Sequence, residues 1–199
     1  MSDSTSAPLR ATTSVALKEW ASVVAAVREG IQTILLRKGG IEEEGGVFQV
    51  AHDEFVFMPT YEHQNPDALA PRYQRFITPH VVGAPTLTLD TYARVLDSYP
   101  IHRLAHTEPF SHLHIWSSGH VDERFNSRPG EPLWLVVFQG FRLEQPVAIP
   151  NEPEYGGCRS WVRLKQGIST ASALPILLDN RLSQVRESVR TIVSALPHS

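Results

Sequence analysis

Residues 15–41, VALKEWASVVAAVREGIQTILLRKGGI, restrict the fold more than any other part of the chain. Leu17, Trp20, Val24 and Val27 recur at steps of three and four, which places them on one helical face. Lys18, Glu19, Ser22, Arg28 and Glu29 fall largely elsewhere. Ser14 or Thr13 can cap the start of such a helix, and Gly30 stands where a helix-ending glycine belongs. Ile31 to Leu36 is then a short aliphatic run suited to an interior strand. It ends in Arg37-Lys38-Gly39-Gly40. Two cations at a strand exit, followed by glycines that let backbone approach closely, read equally well as a polar-ligand edge or a solvated turn.

A chain of 199 residues that is 42% hydrophobic can fill the core of one domain. We expect a disordered tail over residues 1–13, which are small and polar, and a single α+β domain over residues 14–199. No apolar run approaches the roughly 18 residues of a membrane span, so no membrane partner is expected. The start of the sequence carries no apolar leader, and the one cysteine, Cys158, forms no intramolecular disulfide. Both features point to the cytoplasm. With no base near it in sequence, Cys158 reads as a buried structural thiol rather than a nucleophile. Eighteen Lys and Arg against 21 Asp and Glu give a net charge of −3. That balance argues against a broad phosphate-tracking surface and leaves room for a small basic pocket.

Beyond an acidic turn at 41–46, Val47, Phe48 and Val50 suggest a short strand, and Phe55 to Met58 another. The next residues, Pro59-Thr60-Tyr61-Glu62-His63-Gln64, put several proton-exchanging or hydrogen-bonding side chains where a strand gives way to a loop. Residues 65–86 hold four prolines and predict irregular structure, a short helix near Asp67–Gln74, and a lid or flap. Tyr92 to Tyr99 alternate as a strand does. Five histidines fall between His102 and His120, and His112-Leu113-His114 can place two imidazoles on one strand face. No CxxC or HExxH spacing accompanies them, so we assign no metal. Pro109–Trp116 reads better as a short helix or turn, and Gly119–Phe125 as another. Leu133 to Phe141, LWLVVFQGF, is a strand buried on both faces. Arg142 to Val147 leaves it as an edge, and the segment from Glu154 turns at Gly156-Gly157 into a last strand. Leu178, Leu182, Val185, Val189, Ile192 and Leu196 keep helical spacing to the end, with Asp179 or Asn180 as cap.

Several blocks together, ALKEW (16–20), LLRKGGI (35–41), PTYEHQ (59–64), HIW (114–116), RF (124–125) and YGGCRSW (155–161), resemble a bacterial family of unknown function. More distantly, the order of elements is similar to the PUA-like superfamily, especially its ASCH and EVE branches. The segment Glu29-Gly30-Ile31-Gln32-Thr33-Ile34-Leu35-Leu36-Arg37 carries that likeness, although Gln32 stands where ASCH proteins often have lysine. The resemblance implies a mixed, partly closed β-barrel with flanking helices and a C-terminal amphipathic helix. It also implies a cleft for a nucleotide, a modified base or an RNA segment.

Three functions follow as expectations. In the first, the protein binds single-stranded or modified nucleic acid, or a nucleotide. Arg37 and Lys38 hold a phosphate, Gln64, His63 or the backbone at Gly39-Gly40 reads a base edge, and Trp116, Trp134, Trp161 or Tyr61 stacks on the base. In the second, Lys38 with Glu62 and His63 hydrolyses a nucleoside amide or RNA, and Tyr61 donates a hydrogen bond. The third, a metal nuclease, lacks the paired carboxylates it needs. No cofactor is expected. The apolar stripe of the last helix can dock on the protein's own sheet or on a second copy.

Overall fold

Residues Thr12–Trp20 form strand β1 rather than the first turns of a helix. A computed structural model of the chain describes residues 8–38, 50–79 and 84–197. In β1 the burial alternates: Val15 and Leu17 enter one core cluster and Ala16 the other. The segment is paired on both sides, parallel to β3 (Glu54–Thr60) and antiparallel to β6 (Trp161–Ser169). Two ladders outweigh the helical spacing of its apolar residues, because tertiary pairing overrides a weak local preference. The strand also starts inside the stretch expected as a tail, with Thr13 buried.

Helix α1 (Ala21–Arg28) therefore begins eight residues after Thr13, and neither Thr13 nor Ser14 caps it. Gln64 does so from another segment, its Oε1 accepting from the Ser22 amide at 2.9 Å. Gly30 ends the helix at φ 70°, where its amide donates to Val27 O. Ile31 and Gln32 are not yet in a strand. Their amides both donate to Ala26 O, and β2 covers only Ile34–Arg37. Gln32 is buried as a clamp, with Nε2 donating to Ile34 O and Oε1 accepting from Ile115 N.

Two long strands dominate the sheet, β4 (Thr86–Ile101) and β5 (Leu133–Pro150). The stretch expected to leave β5 as an edge instead stays paired with β4 as far as Pro150. Register shifts between Leu89 and Thr91 and between Val95 and Asp97 bend this ribbon. With β7 (Leu174–Pro175) the sheet has seven strands in the order β2-β5-β4-β3-β1-β6, β7 pairing with β5. It is mixed, since β1 and β3 are parallel and their neighbours antiparallel.

The sheet does not close into a barrel: no ladder joins the edges β2 and β6 among the described residues. One buried side chain spans the gap. Arg37, the last residue of β2, donates to Ser160 Oγ just before β6 and to Glu19 Oε2 in β1 at 3.0 Å. Backbone closure needs a continuous register between the end strands, and β2 is only four residues long.

Each face of the sheet carries a core. One holds Leu17, Phe55, Phe57, Leu135 and Phe138 under α1 and the helical segments; the other holds Val56, Met58, Tyr92, Phe141 and Leu164. The C-terminal helix α3 (Asp179–Ala195) seats Leu182 and Val189 and is held by Arg186 and Arg190 on Asp97 of β4. Neither Asp179 nor Asn180 caps it; Leu178 occupies the cap position. Gly39 and Gly40, the acidic turn, Val47 and Phe48, and residues 1–7 of the expected tail lie outside the described residues.

Candidate functional site

Between β3 and β4 the chain makes two 3-10 helices, Pro66–Ala68 and Pro71–Phe76, instead of one short α-helix. Proline at the first position of each suits these tight turns. Leu69 pairs with Trp116 in an isolated antiparallel bridge. Ala70 N donates to Ile115 O, and Ser117 N to Ala68 O. This bridge ties the segment expected as a lid to the run His114–Ser117. A longer 3-10 helix, Leu104–Leu113, precedes that run, and α2 (Ser118–Asn126) follows it.

Ser117 is the N-cap of α2. Its Oγ accepts from the His120 amide at 3.3 Å and donates to Asp67 O at 2.9 Å. The helix thus begins one residue before Gly119, and the amides of Ser118 and Gly119 open its first turn.

The cleft above this turn has a volume of about 620 Å³. Leu104, Trp116 and Val121 give it apolar wall, while Arg72, Glu108, Ser111 and His114 give it polar groups. His114 is 3% exposed, and its Nδ1 accepts from the Trp116 amide at 3.2 Å. Burial first, then the charges of His112 and Arg124, push its pKa from 6.5 down to about 4. The ring is therefore neutral near pH 7. With Nδ1 accepting, its one proton sits on Nε2. Among the described residues nothing accepts from Nε2.

A second cleft of about 300 Å³ lies on the other side of the same first turn, sharing Ser117 and Gly119 with the larger one. Trp20, His63, Asp67, His120 and Glu123 line it. His63 has φ 64°, a left-handed conformation that a side chain makes costly, so a tight turn holds it at the rim. His120 is pushed to about 4 by burial and by Arg124, with Glu19 opposing. Arg124 has only donors, so its NH2 must donate to His120 Nε2 at 3.3 Å, and the imidazole proton lies on Nδ1 toward Glu123.

Trp116 is 4% exposed, with His120 at 4.5 Å and Trp20 at 5.1 Å between ring centroids and the Arg124 guanidinium 5.0 Å from its ring. The expected stacking platform is thus a largely covered core ring.

Among the described residues, the expected site residues do not gather in one hollow. Arg37 is buried between Glu19 and Ser160. Lys38 donates to Phe125 O and lies over the Phe125 ring at 4.9 Å; burial lowers its pKa, with Glu131 opposing. Neither lines the cleft of His63. Glu62 is exposed in the turn, Tyr61 packs half-buried on the second core, and Gln64 caps α1. Arg37 is paired with Glu19, while Trp20 and His120 line the small cleft with His63. Gly39 and Gly40 lie outside the described residues.

The histidines expected as a cluster instead separate into different hollows. His102 and His106 line a cleft beside α3, His112 one beside Gly30, His114 the large cleft and His120 the small one. Among the described residues no three His, Cys, Asp or Glu side chains are grouped to hold a metal ion. Cys158 is exposed, not buried, in the irregular stretch between the 3-10 helix Pro153–Tyr155 and β6.

Sequence reasoning missed Ser118, Arg72, Glu19, Trp20 and Arg124. The one readable signal was Ser117, a cap-type residue three before His120 at the start of a short helical pattern.

Compared with known proteins, the chain matches one family model, described as "Domain of unknown function (DUF1802)", over residues 16–188. No curated protein and no solved structure matches it.

Proposed function

The chain belongs to the DUF1802 family, a domain of unknown function, and from that premise we propose that it binds a nucleotide or a modified nucleobase in the cleft over the first turn of α2. The observation that carries this reading is the cleft itself. Its volume of about 620 Å³ suits one small organic ligand, since such sites run roughly 300–1,000 Å³. Apolar wall from Leu104, Trp116 and Val121 accepts a flat ring, and Glu108 and Ser111 offer hydrogen bonds to its edge or to a sugar.

A net charge of −3, together with Arg37 and Lys38 engaged inside the fold, favours a single nucleotide or base over a long strand. The bent mixed sheet with helices packed on one face supports a PUA-like ancestry of the ASCH or EVE kind. The single, exposed Cys158 thiol suits a reducing cytoplasm.

The test is calorimetric titration of the full chain with nucleosides, base-modified nucleosides, nucleoside monophosphates and short single strands. The reading expects saturable binding of a nucleotide-sized member, abolished by Ser111→Trp, which fills the cleft from its exposed rim. No heat from any member at millimolar concentration removes the reading.

A further inference from the structure

The polar groups that line the large cleft include both donors and carboxylates. Its donors are the His114 Nε2–H, the Ser118 and Gly119 amides at the start of α2, and the Arg72 side chain. Its carboxylates belong to Glu108 on the 3-10 helix and to Asp122 in the second turn of α2. Asp122 is turned toward Asn126, whose Nδ2 donates to its Oδ1 at 2.7 Å.

The geometry points to a subsite for a phosphate monoester at the first turn of α2, held by the Ser118 and Gly119 amides, the His114 Nε2–H and the Arg72 guanidinium. It rests on the nucleotide reading above and names which end of that ligand lies where.

Four observations support the assignment. First, α2 runs nine residues, and aligned peptide dipoles leave about half a positive charge at its N-terminus. Second, Ser117 Oγ already serves the His120 amide, so the two amides before it remain for a ligand. Third, His114 is 97% buried yet keeps an unused donor in the wall of this cleft. A ligand oxygen there gives that donor an acceptor. Because the imidazole stays neutral, it donates to the anion without adding charge. Fourth, Arg72 is exposed at the rim, its guanidinium 4.8 Å from the Tyr73 ring, and supplies the positive charge. Glu108, which also lines the cleft, is left for the hydroxyls of a sugar or the exocyclic amine of a base.

Two variants remove donors while respecting the fold. Ser118 is the first residue of α2, a position that favours proline, and Ser117 before it has ψ 155°, which proline tolerates; Ser118→Pro deletes one amide donor. His114→Asn keeps an acceptor for the Trp116 amide and loses the Nε2 donor. Arg72→Gln removes the rim charge. The experiment measures Kd on the full chain for the four ribonucleoside 5′-monophosphates, their parent nucleosides and inorganic phosphate.

We expect one monophosphate to bind roughly tenfold or more tightly than its nucleoside, as a charge-assisted hydrogen bond is worth about that factor. Each variant should reduce this preference severalfold and leave nucleoside affinity unchanged. Equal affinity for nucleoside and monophosphate overturns the subsite and leaves the nucleotide cleft standing. A preference that survives both Ser118→Pro and His114→Asn also overturns it. Binding of inorganic phosphate, lost in Ser118→Pro, upholds the subsite even if no nucleotide binds, and in that case it is the nucleotide reading that fails. If neither nucleotides nor phosphate bind, both fall.

Discussion

At neutral pH the His114 imidazole is uncharged because it is buried, and this has a measurable consequence for stability. Its folded pKa of about 4 lies below the ordinary 6.5 that an unfolded chain restores. As pH falls, the unfolded state takes up the proton first. Stability is therefore full above about pH 6.5 and is lost progressively down to about 4, by on the order of 3 kcal/mol for a shift of this size. His120, pushed to about 4 in the same direction, adds a second proton to that slope. Urea midpoints should therefore fall between pH 6.5 and 4.5, before most carboxylates titrate, and His114→Asn should remove about half of the fall. A profile unchanged by His114→Asn means that the ring is not held neutral in the folded protein. The buried Arg37–Glu19 pair makes a separate prediction. Arg37→Met leaves the Glu19 carboxylate buried without its cation and should cost about 3 kcal/mol or more in denaturant unfolding. The double variant with Glu19→Leu should recover much of that loss. If the single and double variants are equally destabilised, Arg37 contributes by packing rather than by charge.

At the scale of elements, the sequence was most readable where one requirement acted alone. The first part of β5, Leu133 to Phe138, is apolar because both its faces are covered, and α3 keeps its spacing because it seats one stripe on the sheet. β1 was misread because Leu17 and Trp20 match the period of Val24 and Val27, although a strand ends and a helix begins between Trp20 and Ala21. No local signal marks that junction, since Gln64 supplies the cap from 42 residues away. Arg37 and Lys38 looked like surface cations because a charged pair beside glycines usually is. Their partners, Glu19, Ser160 and Phe125, come from three distant segments. Gly30 was legible, and it can be tested. Its φ of 70° disfavours any side chain, and a Cβ there meets Leu177 Cδ2 at 2.9 Å. Gly30→Ala should destabilise the protein by about 1–2 kcal/mol, the usual cost of a left-handed residue. An unchanged unfolding midpoint would show that the turn after α1 relaxes freely.

Across the whole molecule, the sheet is a frame whose end strands are tied by Arg37 instead of by a ladder, and the clefts sit outside it. The large cleft lies where the bridge between Leu69 and Trp116 brings the loop after β3 against the start of α2. That juxtaposition joins segments some 50 residues apart, which is why spacing along the chain did not reveal it. The most direct test of the account is an amide NMR titration of the full chain with the ribonucleoside 5′-monophosphates. The account predicts that the largest shifts fall on Ser118, Gly119 and the residues around His114, saturating together with one ligand. Shifts confined to the His102–His106 cleft, or no shift at saturating concentration, would contradict it.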